Sequence, residues 1–245
     1  MPLIRSCALT DNAEGSARCA SAARSSLFAA DWRRLRARWP QARRSHVSME
    51  VDDPFLTVYP QNLLRDGRVA EVCYLLYRGQ PQAGILLHTK SYYPEQAYRL
   101  PTGGLAPGED PVAGVVREVA EETGLEVWEE PAELRTGCIA DFAGLLTYNI
   151  RHRHLDRELS FATFMFAIQA PDDMEPQVID EIEQIAGWAW CPPDDLYRIA
   201  ANLCGLKDST PDWADWGRFR AVVHTAAARY FETRGPSGVG NCRAD

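Results

Sequence analysis

The chain has 245 residues, 46% of them hydrophobic, which is enough for one globular domain with additions at its ends. Its net charge of −8 is uneven, because residues 1–50 carry nine arginines and four acids, about +5, and the remainder carries about −13. The acidic body argues against stable nucleic-acid binding, and no apolar run reaches the 18 or so residues that a membrane-spanning helix needs. The seven cysteines are scattered without a Cys-x-x-Cys pair, a usage typical of the cytoplasm.

Residues 1–46 are rich in alanine, serine and arginine and poor in acids and aliphatics. We therefore expect a disordered arm, with a short helix around Asp31 to Arg38. The alternatives are an organelle transit peptide, a polyanion-binding arm, or an extension ahead of a natural start at Met49. The predicted division is this arm, a globular domain at 47–205, and a C-terminal helix and tail at 206–245. The expected location is cytoplasmic, with organelle targeting by the arm as the alternative.

Short apolar runs bounded by turn residues predict β-strands in two groups. In the first group, Val69–Tyr77 and Ala83–His88 are joined by a turn at residues 78–81. The second group comprises Leu125–Trp128, Leu134–Phe142, Leu145–Leu155 and Leu159–Gln169. Between the two groups lies a predicted helix.

The stretch from Gly103 to Leu125, GGLAPGEDPVAGVVREVAEETGL, reads as a glycine-rich loop that leads into this central helix. Asp110 is a suitable N-cap, and Pro111 fits the first helical position. Gly124 fits the position just past the last turn. At helical spacing the residues between them separate into an apolar face and a carboxylate face.

The carboxylate face carries Glu118, Glu121 and Glu122, with Arg117 at its edge. Spacings of three and four residues place these like charges side by side, where they repel one another. A divalent cation that prefers hard oxygen ligands, Mg²⁺ or Mn²⁺, would compensate the repulsion, and Arg117 can pair with Glu121 four residues on. The alternative is a charged helix face that is simply solvated.

The pattern of Gly103, five residues, Glu109, seven residues and the run REVAEETGL resembles the Nudix box at every specified position. A chance match has a probability on the order of one in a billion per start point at average residue frequencies. The resemblance implies a Nudix-type α/β/α sandwich with a mixed β-sheet, flanked here by the disordered N-terminal arm and a C-terminal helix. Two positions depart from the common pattern, Thr102 in place of a glycine and Ala106 where many members have another glutamate.

The resemblance also implies roles for the box residues. The expected metal ligands are Glu118, Glu121, Glu122 and Glu109, where Glu109 binds through water or, as the alternative, braces the loop. The expected cofactor is Mg²⁺ or Mn²⁺. The expected catalytic residues are Glu118, Glu121 and Arg117. In these roles Glu118 helps to activate water, and Arg117 orients a glutamate through a charge-assisted pair. Gly103 and Gly104 let the backbone turn tightly and approach the substrate closely.

Four further residues are candidates for substrate contact: Tyr98, Arg99, Glu181 and Glu183. Tyr98 could stack on a nucleobase and Arg99 could contact a phosphate, with sheet-edge packing and surface exposure as the alternatives. Glu181 and Glu183 precede residues 189–196, which resemble the late Nudix strand and the helix start after it. Family members often supply a further carboxylate from this loop, and loop solvation is the alternative.

Aromatic and apolar residues at helical spacing between Trp213 and Arg234 predict a C-terminal helix that docks on the domain. An oligomer interface or a wall of the substrate cleft is the alternative, so a homodimer stays open.

The implied reaction is metal-dependent hydrolysis of a diphosphate linkage in a nucleoside diphosphate joined to another moiety, with water attacking phosphorus. The expected partner is thus a small-molecule nucleotide, such as a nucleotide-sugar or an ADP-ribose-like compound. The proline that members acting on ADP-ribose often carry beyond the box is absent between Ala132 and Ala170, so the substrate stays open. The alternatives are a nucleoside-triphosphate pyrophosphohydrolase and a ligand-sensing domain without catalysis.

Overall fold

A mixed sheet of eight strands forms the centre of the molecule in the computed structural model, which describes residues 28–52, 55–129, 137–179 and 181–234. The strands are β1 (Arg43–Val51), β2 (Ala70–Arg78), β3 (Ile85–Lys90), β4 (Thr102–Gly104), β5 (Val127–Trp128), β6 (Gly137–His152), β7 (Glu158–Ala170) and β8 (Ile185–Cys191). Their order is β1-β6-β7-β2-β3-β8, with β4 beside β2 and β5 beside β6. The pairs β1–β6, β2–β7 and β5–β6 are parallel and the others antiparallel, which confirms the predicted mixed sheet.

Four helices cover the two faces of this sheet: α1 (Ala29–Arg38), α2 (Pro111–Thr123), α3 (Leu196–Ser209) and α4 (Ala214–Arg234). One apolar core lies between the sheet and helices α1 and α2, and a second lies between the sheet and helices α3 and α4. The predicted α/β/α sandwich is therefore confirmed. Within the described ranges, no helix combines the length and the hydropathy that crossing a membrane would require.

Helix α2 begins and ends where its local sequence predicts. The Asp110 carboxylate accepts hydrogen bonds from the backbone N–H groups of Val112 at 2.8 Å and Ala113 at 3.2 Å. Pro111 occupies the first helical position, and Gly124 ends the helix with a φ of 72°. Because both ends are fixed by short-range signals, the direction in which α2 presents its glutamates is set locally.

Helix α1 matches the short helix that we predicted around Asp31 to Arg38, but this helix and the start of β1 pack on the sheet, where we expected a disordered arm. Leu35 is buried, and the rings of Trp32 and Trp39 lie 6.1 and 6.3 Å from the ring of Phe142. Composition averaged over the whole arm concealed these three apolar side chains, which share one face of a short helix. Residues 1–27 of the predicted arm lie outside the described residues.

Strand β6 is one long strand where the sequence predicts two. Its pairing with β7 shifts register between Ile139 and Asp141 and again between Phe142 and Gly144. A Cβ at Gly144, whose φ is +154°, would lie 2.3 Å from the carbonyl oxygen of Arg43 in the edge strand β1. The glycine that reads as a strand break is therefore a bulge that admits the neighbouring backbone. Residues 134–136, which we also predicted to be strand, lie outside the described residues.

The predicted C-terminal helix is confirmed, and it reaches the loop ahead of the glycines. Arg220 of α4 is buried, and its Nη1 donates to both carboxylate oxygens of Glu71 on β2, at 2.8 and 2.9 Å. The Leu100 N–H donates to Nε2 of His224 at 2.9 Å. Since Glu71 is paired with Gly104 of β4, helix α4 supports the strand that carries the glycine loop.

Candidate active site

One guanidinium gathers three of the predicted carboxylates. Arg117 donates to Glu109 through Nε at 3.0 Å and through Nη2 at 3.1 Å. Its Nη1 donates to Glu118 at 2.8 Å and to Glu121 at 2.9 Å. Nη2 also donates to the carbonyl oxygen of Gly104 at 3.0 Å. The arginine thereby fixes the helix carboxylates relative to the loop, since charge-assisted hydrogen bonds constrain both partners.

Glu118 lies directly over the glycine loop. A Cβ built on Gly103 would lie 1.8 Å from Cδ and 2.0 Å from Oε2 of Glu118. Only glycine leaves room for this carboxylate, which is 7% exposed. Gly103 therefore provides space for the Glu118 carboxylate as well as a tight turn of the backbone.

Glu122 lies in a second, deeper group. It is fully buried, accepts a hydrogen bond from the Tyr74 hydroxyl, and has Oε1 3.5 Å from Nζ of Lys90. Lys90 also forms an ion pair with Glu183, from the loop before β8. The structure thus brings Glu183 to the box glutamates, as the sequence predicted for Glu181 or Glu183. The side chain of Glu181 lies outside the described residues.

The buried carboxylates influence each other's ionisation. Burial and the negative charge of Glu122 together raise the pKa of Glu118 to about 7, against the lowering effect of the hydrogen bond from Arg117. Burial also raises the pKa of Glu122, although Lys90 opposes that shift. At Glu109, by contrast, hydrogen bonds from Arg117 and the Ala106 N–H outweigh burial and lower the pKa. Glu118 and Glu122 are therefore harder to ionise than a free glutamate, and Glu109 is easier to ionise.

The carboxylates fit a divalent cation by their chemistry. Within the described ranges, no three acidic, histidine or cysteine side chains are already arranged around one centre as metal ligands. Glu118 and Glu121, however, each use one oxygen in their hydrogen bonds to Arg117. Oε1 of Glu122 is buried without a hydrogen-bond partner. Hard oxygen atoms of this kind are the ligands that Mg²⁺ and Mn²⁺ prefer.

The raised pKa of Glu118 predicts how stability changes with pH when metal is removed by EDTA. The ordinary value is 4.5 and the folded value is about 7, so between these values the folded protein binds more protons than the unfolded chain. The contribution is therefore fully present below about pH 4.5 and is lost as the pH rises through about 7. We expect the melting temperature of the wild type to fall across this window more steeply than that of Glu118→Gln, as measured by calorimetry.

Glu126→Gln is the matched control for this measurement, because Glu126 is exposed just beyond the same helix. Its melting temperature should follow that of the wild type over the whole pH range. Parallel curves for Glu118→Gln and the wild type would show that Glu118 has an ordinary pKa.

Arg99 and Tyr98, two of the predicted substrate contacts, pack against other parts of the protein. Arg99 is buried, and it donates to the Tyr93 hydroxyl at 2.7 and 2.9 Å, to Leu100 O at 2.7 Å and to Thr102 Oγ1 at 2.9 Å. It therefore holds the chain ahead of Gly103. Tyr98 packs on the sheet face covered by α3 and α4, opposite the face that carries the glutamates. The structure does not bring Tyr98 to the carboxylates.

Three residues of the site were missed by sequence reasoning: Tyr74, Lys90 and Arg68. Arg68 donates to Leu63 O at 2.7 Å, and a Cβ on Gly104 would lie 2.8 Å from its Nη1. Tyr74 reads as one more apolar residue of a buried strand, and Lys90 as the polar end of β3. No spacing links any of them to the box, because strand pairing brings them there from distant segments.

Comparison with known proteins agrees with this geometry. A family model for the NUDIX domain matches residues 67–210. "Nudix hydrolase 7" of Arabidopsis thaliana is 27% identical over 124 residues, which cover 46% of this chain and 38% of the relative. "Diphosphoinositol polyphosphate phosphohydrolase 2" of Mus musculus is 37% identical over 62 residues, covering 25% of this chain and 34% of the relative. The chain thus spans well under half the length of these curated relatives.

A solved structure with a similar arrangement is that of a C. elegans Ap4A hydrolase binary complex. It is 21% identical, with a TM-score of 0.37, over 67% of this chain and 96% of that one. The family model, by contrast, covers more than half of the chain and includes every predicted site residue from Tyr98 to Glu183. This chain belongs to the NUDIX domain family.

Proposed function

We propose that this protein hydrolyses a diphosphate linkage in a nucleoside diphosphate joined to another moiety, with Mg²⁺ or Mn²⁺ as cofactor and water attacking phosphorus. One observation carries the proposal: Arg117 holds Glu109, Glu118 and Glu121 together while Glu118 and Glu121 each keep one oxygen outside its hydrogen bonds. A domain that only binds a ligand has no physical need for four charged groups so placed. The named activities of the relatives, a Nudix hydrolase and a diphosphoinositol polyphosphate phosphohydrolase, support the same class of reaction.

The proposed ligands of the cation are Glu118, Glu121 and Glu122, with Glu109 as brace of the loop. When bound, the cation would neutralise phosphate charge and lower the pKa of water. Glu118 holds Oε2 against the loop at Gly103, where it can accept a proton from the attacking water. Arg117 prevents Glu109, Glu118 and Glu121 from moving apart by hydrogen-bonding each of them.

The test is product analysis over a panel of diphosphates, with Mg²⁺ or Mn²⁺ and with EDTA. The panel holds ADP-ribose, sugar nucleotides, dinucleotide cofactors, diadenosine polyphosphates, nucleoside triphosphates and a diphosphoinositol polyphosphate. Reaction in ¹⁸O-labelled water shows which phosphorus is attacked. Cation-dependent release of a nucleoside monophosphate, lost in Glu121→Gln, is the expected result. Ligand binding without turnover in both proteins would instead favour a sensor.

The substitution Gly103→Ala tests whether cation binding depends on the space that Gly103 leaves for Glu118. The added Cβ would displace the Glu118 carboxylate, which lies 1.8 Å from its position. We expect the affinity for Mn²⁺ to fall about 10–100-fold, the usual effect of disturbing the residues around a metal ligand. Stability should fall by about 1–3 kcal/mol, as for other overpacked sites. Titration calorimetry with Mn²⁺ and urea unfolding measure the two effects.

Gly205→Ala is the matched control, because a Cβ at Gly205 in α3 meets nothing within 4 Å. It should raise stability by about 1 kcal/mol through helix propensity and leave Mn²⁺ affinity unchanged. Equal Mn²⁺ affinity in Gly103→Ala and Gly205→Ala would remove Glu118 from the proposed ligands.

A further inference from the structure

A second concave region lies at the opposite edge of the sheet. A cavity of about 760 Å³ opens where α1, the start of the edge strand β1 and the end of α4 meet. Its volume is in the range of roughly 300–1,000 Å³ that small-molecule sites have. None of the carboxylates of the candidate active site lines it. In the strand order, β6 and β7 separate β1 from β2 and the glycine loop beside it.

The lining of this cavity is strongly basic. Five arginines contribute to it: Arg36, Arg43, Arg44, Arg229 and Arg234. They come from three separate elements, so the clustering is a product of the fold. Glu232 is the one acidic residue among the described lining residues. A group of like charges around a concave surface is unfavourable unless an anion binds among them.

Within the described part of the chain, only one of these arginines has a counterion: Arg234 pairs with Asp141 at 2.5 Å. The other four, Arg36, Arg43, Arg44 and Arg229, form no ion pair with any carboxylate there. This is unusual in a chain whose residues beyond position 50 carry a large excess of acids. Neighbouring Arg34 and Arg38 of α1 do find acidic partners, in Asp110 and Glu129.

Arg44 combines partial burial with the lack of a counterion. It is half-buried, and burial lowers the pKa of its guanidinium without an opposing carboxylate. A guanidinium that has lost hydration and gained no partner binds an incoming anion more strongly than an exposed arginine does. Planar guanidinium groups also match the oxygens of phosphate in pairs of hydrogen bonds.

We propose that this arginine-lined cavity is a binding site for a polyphosphate group, separate from the candidate active site. The ligand class is a small anion with two or more adjacent phosphates, either free or as part of a nucleotide. Arg44 and Arg36, on the α1 side of the edge strand, supply the hydrogen bonds, and Arg43, Arg229 and Arg234, on the α4 side, contribute positive charge. The site needs no divalent cation, because the protein itself supplies the positive charge.

The experiment is titration calorimetry of the full chain with sodium tripolyphosphate in EDTA at low ionic strength. Without a cation, the carboxylates of the candidate active site repel the ligand, so binding there is suppressed. We expect one site, weakened about tenfold in Arg44→Gln because one charge-assisted pair is lost. Rising salt should weaken binding, as for any charge-driven site. Repeating the titration with ATP identifies the source: tighter binding than tripolyphosphate indicates a nucleotide, and equal or weaker binding indicates the polyphosphate alone.

Arg33→Gln is the matched control, because Arg33 is exposed on the same helix, hydrogen-bonds Ala29 O and does not line the cavity. Its affinity for tripolyphosphate should equal that of the wild type, and so should that of Glu118→Gln. Arg36→Gln, at an exposed position, provides a second test if Arg44→Gln unfolds. The proposal is overturned if the wild type does not bind, or if the arginine variants of the cavity bind as tightly as Arg33→Gln.

Discussion

Glu118→Gln is expected to lower kcat about a thousandfold on whichever diphosphate the protein cleaves. An amide neither accepts a proton at the position of Oε2 nor matches a carboxylate as a cation ligand, and a loss of about 4 kcal/mol of transition-state stabilisation gives this factor. KM should change much less, because the phosphate-binding groups remain. The fold should persist, since the amide oxygen can still accept from Arg117. Steady-state kinetics with saturating Mg²⁺ measures both parameters.

The exposed Glu126→Gln controls for loss of charge at the end of α2 and should leave kcat unchanged. Residual activity of Glu118→Gln close to that of the wild type would assign proton transfer to another group, with Glu183 as the first to test.

Arg220→Met is expected to lower the free energy of unfolding by about 3–5 kcal/mol, the usual cost of leaving one member of a buried ion pair alone. Glu71 is 1% exposed, and without Arg220 its remaining side-chain hydrogen bond among the described residues comes from the hydroxyl of Thr163 at 3.0 Å. For a domain of this size the melting temperature should fall by roughly 6–20 °C. Urea unfolding and calorimetry measure the change.

The double variant Glu71→Gln with Arg220→Met should recover part of this loss, because it removes the stranded charge. Arg218→Met controls for removal of an arginine from the same helix. Arg218 is partly exposed and pairs with Asp215, so the loss should be less than about 1 kcal/mol. If Arg220→Met and Arg218→Met destabilised the protein equally, the Glu71 pair would contribute nothing beyond a surface contact.

Half of the candidate site could be predicted because its signals are local. Asp110, Pro111 and Gly124 fix α2, and helical spacing then places Glu118 and Glu121 beside Arg117. The other half depends on strand pairing. Lys90 and Glu183 are 93 residues apart in the chain, and they meet because β3 pairs with β8. Glu183 was a candidate only through the family resemblance, and no hydrophobic period in either segment predicts its contact with Lys90.

The fold shows the same division between local and long-range causes. Apolar runs and turn residues predict most of the strands, and the family resemblance implied the mixed sheet. The packing of α1 was not predicted, because it depends on two tryptophans that contact Phe142 far along the chain. We interpreted Gly144 as a strand break because a glycine in a strand can indicate either a break or a bulge. The close approach of the Arg43 backbone, which the local sequence does not show, makes it a bulge.

The contacts of α4 show that the family match and the folding unit end at different residues. The family match ends at residue 210, but the partners of Glu71 and of the Leu100 N–H lie beyond it, in Arg220 and His224. A recombinant fragment trimmed to the match would keep every box glutamate and lose the groups that hold the glycine strand in register. The cooperative folding unit therefore exceeds the recognisable homology region, and a shortened expression clone should retain α1 and α4.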